Sequence, residues 1–183
     1  WWPAGIVIGS IIGYLIMDVG GLGWQVMVAS LFIPLVGYGY LIIGQTFPLT
    51  ERVEMGISTK AALKSLFTPL YLFIAVCMLL SATTELGTTQ RIESLLRETG
   101  VNALLVLAFI NGLMVIGRYF AGPISKKIST TGMLWFSALF SFIGLQLLAN
   151  ASGMFVFIAA GVFAIGITFF WPTTIAFISE NIP

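Results

Sequence analysis

The sequence predicts an all-α, polytopic integral membrane protein: 58% of its 183 residues are hydrophobic, only 8% are charged, and six apolar stretches reach helix length. An ordinary soluble domain is about 45–50% apolar and about 25% charged, so no soluble fold hides this much apolar surface. A bilayer-crossing helix takes about 20 mostly apolar residues. Such runs lie at 2–17, 24–47, 66–90, 102–122, 132–149 and 154–178. Six transmembrane helices are therefore expected. Barrel strands are not, because barrel strands alternate apolar and polar residues and these runs do not.

Composition also removes whole classes of chemistry. There is no histidine, and Cys77, inside an apolar run, is the only cysteine. Disulfide frameworks and His/Cys metal sites are thereby excluded within the chain, and no metal or cofactor is expected. Cys77 reads as a small lipid- or core-facing side chain. No phosphate-binding Gly-Lys loop, nucleophile elbow or zinc-binding His-Glu helix is present, so the chain is not expected to be an enzyme. Its net charge of +1 comes from Lys and Arg scattered between apolar runs, which speaks against nucleic acid as a partner.

The basic residues set an orientation. With residue 1 on the cytoplasmic side, Arg52, Lys60, Lys64, Arg118, Lys126 and Lys127 fall inside, and only Arg91 and Arg97 fall outside. That matches the positive-inside rule and places both ends of the chain in the cytoplasm of a plasma or bacterial inner membrane. The connection at 48–65 carries Glu51, Arg52, Glu54, Lys60 and Lys64 and reads as a linker. Within it, Ser58 is placed to cap a short helix with Ala61, Leu63, Leu66 and Phe67 toward the membrane and Lys60 and Lys64 toward water, or else the segment is a solvated loop. Trp1, Trp2, Trp24 and Trp135 suit interfacial anchoring. The chain opens at Trp1 inside an apolar run and stops at Pro183, so a piece of a longer polypeptide is expected.

Candidate functional residues are the polar groups at membrane depth. Glu85 lies in the outer part of the third run, and Ser81, Thr84, Glu85 and Thr88 follow i, i+3, i+4, i+7 spacing, which gathers hydroxyls and a carboxylate on one helical face. Such a face suits a polyhydroxylated solute or a cation, unless Glu85 simply sits at the outer interface. Asn111 lies midway along the next run, where an amide serves as interhelical glue or as a binding group. In the last run Pro172 frees a backbone carbonyl near Thr168, which neighbouring groups must satisfy, and a kink there makes Phe163, Thr168 and Trp171 candidates for a cavity wall. Gly5, Gly9 and Gly13 lie on one face of the first helix and predict close helix contact. Arg118 is placed to snorkel to the headgroups at its helix end.

One string carries a family resemblance. Gly117-Arg118-x-x-x-Gly122 followed by Lys126-Lys127 resembles the cytoplasmic loop between the eighth and ninth helices of the major facilitator superfamily. Gly23-Trp24-Gln25 resembles the opening of that family's sixth helix, with Gln25 in place of arginine, and Phe170-Trp171-Pro172-Thr173 with Ser179-Glu180 resembles the cytoplasmic end of its tenth. The resemblance implies part of a twelve-helix, two-lobe fold: residues 1–47 the last two helices of the first lobe, 48–65 the inter-lobe linker, and 66–183 the first four helices of the second. It further implies secondary active transport of a small organic solute by alternating access, coupled to a proton or sodium ion, with the remaining helices of the same polypeptide and the lipid bilayer as partners. Ser81, Thr84, Glu85, Thr88, Asn111, Phe163, Thr168 and Trp171 would bind substrate or cation, and Gly117, Arg118, Gly122, Lys126 and Lys127 would form a cytoplasmic gate. The fifth helix lacks the Gly-Pro-x-x-Gly-Gly string of drug exporters, and residues 81–90 resemble sugar permeases, so a sugar-like solute is favoured. The alternative is a non-transporting six-helix scaffold or assembly subunit.

Overall fold

The computed structural model describes residues 2–54, 56, 58–97, 99–125 and 127–181. Among these residues the regular secondary structure is all helix, with no strand. In order the helices are α1 Trp2–Tyr14, α2 Trp24–Ser30, α3 Phe32–Ile42, α4 Glu51–Glu54, α5 Thr59–Ser65, α6 Pro69–Ala82, α7 Thr88–Leu96, α8 Ala103–Tyr119, α9 Ala121–Ser125, α10 Thr130–Asn150, α11 Phe155–Ile167 and α12 Phe170–Asn181. Wider π-helical turns at Leu15–Val19 and Thr83–Gly87 extend α1 and join α6 to α7.

Five helical stretches are long and apolar enough to cross a membrane: Trp2–Val19, Trp24–Ile42, Pro69–Leu96, Thr130–Asn150 and Phe155–Ile178. The fourth expected run falls short, since α8 is apolar but only 17 residues long. Pro123 is the reason. It lacks the N–H that would bond the carbonyl of Tyr119, so the helix stops at Phe120 and a new short one, α9, begins with the proline in its first turn. The third run, expected to end near residue 90, instead continues to Leu96. Its last part, α7, is polar on one side and buries Thr88, Ile92 and Leu96 on the other.

The chain divides into two compact units, Ile12–Leu72 and Trp1–Ile11 with Phe73–Pro183. In the first, α2 and α3 form one span interrupted at Leu31, where Pro34 cannot bond the Ser30 carbonyl, and no side chain of α2 or α3 is buried. A helix that is apolar all round and bare all round is one built to be covered by lipid or by other helices. The short helix α5 forms directly after Ser58, and Lys60, Leu63 and Lys64 along it are all exposed.

The second unit holds the core. Its centre is α11, whose Val156, Ala159, Ala160, Phe163, Ala164 and Ile167 are buried against α8 on one side and α10 on the other. Helices in lipid associate through close backbone approach rather than through a hydrophobic driving force, so small residues mark the contacts. Here they are Gly144 and Gly166: a methyl at either would fall on the backbone of the facing helix, at Phe163 and at Ser141 respectively. The expected glycine face of α1 behaves differently, because nothing lies within 4 Å of a methyl built at Gly5 or Gly9. The hairpin between α7 and α8 turns at Gly100, whose φ of 72° is a left-handed conformation that favours glycine. Asn102 then caps α8, its side chain accepting from the N–H groups of Leu104 at 2.9 Å and Leu105 at 3.3 Å.

Candidate functional site

Glu85 sits in the π-helical turn between α6 and α7. The turn is wide for a local reason: the hydroxyls of Thr83 and Thr84 donate to the carbonyls of Leu79 and Leu80 at 2.8 and 2.9 Å, sharing acceptors that an α-helix reserves for backbone N–H groups. Ser81 donates likewise to Met78 at 3.0 Å. Widened turns of this kind recur at functional sites, because they rotate a side chain out of the regular helical phase.

The Glu85 carboxylate meets Arg118 of α8, with Oε1 accepting from Nη2 at 3.3 Å. Hairpin geometry accounts for the meeting. From Glu85 up to Leu96, and from Ala103 down to Arg118, the chain covers roughly 17 and 22 Å at 1.5 Å per residue, and helical side chains lean toward the N-terminus, which carries the long Arg118 back to the level of Glu85. An acid at the outer face and an arginine at an inner gate would lie apart; these two are in contact. Arg118 is thus turned inward, its side chain 21% exposed, rather than snorkelling to the headgroups.

The other arm of the Arg118 fork goes elsewhere. Nε donates to the backbone carbonyl of Thr168 at 3.0 Å. That carbonyl is the one Pro172 leaves without its helical partner, as the residue pattern predicts. Because Nε and Nη2 serve two different acceptors, Glu85 is held by one edge only, at a distance longer than the roughly 2.7–2.9 Å of a tight charge-assisted bond. Its second oxygen, Oε2, is buried with no hydrogen-bond partner among the described residues, and the residue as a whole is 4% exposed. Three helical segments, Pro69–Leu96, α8 and Phe155–Ile178, are therefore pinned at a single guanidinium.

Gly117 makes this possible. A methyl there would stand 2.7 Å from Thr168 Cγ2, so only glycine lets α8 come close enough for Arg118 to reach the carbonyl behind it. Thr168 has little freedom to turn away, since its hydroxyl donates to the Ala164 carbonyl at 2.6 Å. Gly117→Ala is expected to cost about 1–3 kcal/mol. Thermal unfolding in detergent would show this as a lowered midpoint; an unchanged one would mean that α8 has room to spare.

The remaining candidates separate. Ser81 and Thr84 line a hollow of about 360 Å³ with Cys77, Ser141, Phe142 and Phe170, while Glu85 and Thr88 are buried. Asn111 is buried, and its amide donates to the Leu107 carbonyl of its own helix at 2.9 Å. Phe163 is wholly enclosed in the core, its backbone against Gly144, so it packs helices rather than facing a cavity. Trp171 is half-buried, and its indole Nε1 has no partner among the described residues. Gly122 lines a separate hollow of about 270 Å³ with Thr130, Pro172 and Thr173. Lys127 is exposed, and Lys126 lies outside the described residues. The gate string thus splits, with Gly117 and Arg118 at the ion pair and Gly122 beside the proline.

Among the described residues no three His, Cys, Asp or Glu side chains cluster. What the site presents is one buried carboxylate oxygen with no hydrogen-bond partner among the described residues, next to a guanidinium already engaged twice. Sequence reasoning missed Gly144, although Ser137, Ser141 and Gly144, all buried on α10, carry the small-residue spacing that signals a helix contact. No protein-family profile, no curated protein and no solved structure matches the chain.

Proposed function

We propose that this chain is part of a secondary active transporter of the major facilitator type, moving a small, sugar-like solute by alternating access coupled to a proton or sodium ion. In this reading α8 is a sixth, short crossing, the segments 1–47 and 66–183 belong to two lobes joined at 48–65, and both ends face the cytoplasm. The observation that carries the reading is the buried Glu85–Arg118 pair. Each charge at the centre of a bilayer costs about 2.5–3.5 kcal/mol on insertion scales. A scaffold has no use for that, because apolar residues of similar size hold helices together equally well or better. A coupling site needs it, and needs one carboxylate oxygen left over, as Oε2 is among the described residues.

Two further features support transport. The span Phe155–Ile178 is broken at 168–169, and discontinuous helices near a polar site are how transporters expose backbone to a cavity. The hollow beside Ser81 and Thr84, at about 360 Å³, falls in the roughly 300–1,000 Å³ range of small-molecule sites and is lined by Ser and Thr together with Phe142 and Phe170.

The test is uptake by the full-length protein in proteoliposomes, using labelled monosaccharides first, then nucleosides and organic acids, under an imposed proton or sodium gradient. One class should accumulate above equilibrium, and collapsing the gradient should abolish the excess. Folded protein that accumulates none of them would leave the scaffold reading standing.

A further inference from the structure

We propose that Arg118 is a latch on a proline hinge: it supplies from another helix the one hydrogen bond that Pro172 cannot make, and Glu85 keeps it in place. α11 ends with the Thr168 N–H bonding the Ala164 carbonyl at 3.1 Å, and past the proline the Thr173 N–H bonds the Phe169 carbonyl at 3.1 Å. Between them the Thr168 carbonyl would be bare in the core of the helix bundle, where water is scarce and an unpaired carbonyl is costly. Arg118 Nε fills it at 3.0 Å.

A backbone rung is made by the helix itself and opens only when the helix does. This rung is made by a side chain fifty positions away in sequence, so it opens whenever Arg118 moves. What holds Arg118 is the carboxylate of Glu85, on a third span, through Nη2 at 3.3 Å. Any event that neutralises or occupies Glu85 removes the negative charge that holds the guanidinium, and the contact with the Thr168 carbonyl loosens with it. The charge state of the π-helical turn Thr83–Gly87 thereby sets the stiffness of the joint between α11 and α12. The device is a property of the fold and does not depend on whether the chain carries a solute.

Hydrogen exchange on the full-length protein in nanodiscs tests it. Arg118→Lys keeps a positive charge opposite Glu85 but has no planar fork to share between two acceptors. Amides of Phe170, Trp171, Thr173 and Thr174 should then exchange about tenfold faster, the factor expected for losing one charge-assisted hydrogen bond. In a Pro172→Ala background, where residue 172 regains an N–H for the Thr168 carbonyl, the same substitution should change those amides little. Glu85→Gln should give a smaller increase at the same amides, again suppressed by Pro172→Ala. Equal increases in both backgrounds, or increases as large in α8 and α10 as at the joint, would overturn the latch. Should Arg118→Lys fail to fold, Pro172→Ala alone serves, since Pro172 is exposed and alanine favours helix. Releasing the carbonyl contact should shift the Arg118 Nε–H resonance, and an unmoved resonance would overturn the proposal.

Discussion

Gly144→Ala is expected to keep α10 and α11 from closing and to lower the unfolding midpoint of the whole protein. The added methyl would coincide with the backbone Cα and N of Phe163, and backbone cannot swing aside as a side-chain tip can. α11 would have to move bodily, and it carries the most enclosed residues of the core as well as the approach to Thr168. Overpacking of this kind costs about 3 kcal/mol at the upper end of its usual range, or roughly 6–12 °C for a chain of this size. Gly161→Ala is the contrasting case. There the methyl meets only the side chains of Leu113 and Phe109, at 3.8 Å, so ordinary contact and a better helix former should leave the midpoint unchanged or raised. Melting curves of the two variants, followed by size-exclusion in detergent, decide the matter; equal shifts would show that the α10–α11 contact does not limit stability.

Arg118→Ala should cost about 3–5 kcal/mol, the usual price of stranding one member of a buried ion pair, toward the lower end because the arginine is partly open. It strips Glu85 of its one charged partner among the described residues and uncovers the Thr168 carbonyl in the same step. Glu85→Gln should be milder, because the amide oxygen can still accept from Nη2, so Arg118 is held more loosely but the Thr168 carbonyl is not left bare. The double variant Glu85→Gln with Arg118→Ala should recover part of the loss, since no buried charge is then left alone. If the chain transports as proposed, Glu85→Gln should also lose accumulation against a gradient while retaining exchange of solute at equal concentrations. Chemical denaturation of the three variants and paired uptake and exchange assays give the readouts. Additive costs would refute the ion pair, and undiminished accumulation would remove Glu85 from the coupling site.

The interrupted span shows how far residue patterns reach. Pro172 specifies that the Thr168 carbonyl has no partner on its own helix, because that follows from a missing N–H four residues on. It does not specify which group arrives. Likewise, Ser81, Thr83 and Thr84 announce hydroxyls competing for carbonyls, but the widened turn that results breaks the helical phase on which a shared face with Glu85 was inferred. Phe163 and Thr168 look alike as candidates near a kink, yet one fills the core and the other anchors Arg118.

Apolar content, helix type, the approximate places of the runs and the weak point at Pro172 were determined by the sequence alone, since each depends on a residue and its near neighbours. The pairing of Glu85 with Arg118, the closing of that fork on Thr168 and the choice of Gly117, Gly144 and Gly166 over Gly5 and Gly9 as close contacts were decided only by the tertiary structure. These contacts join residues tens of positions apart, and whether two helices meet, and at what level, depends on the length of the hairpin between them and on which small residues let their backbones approach.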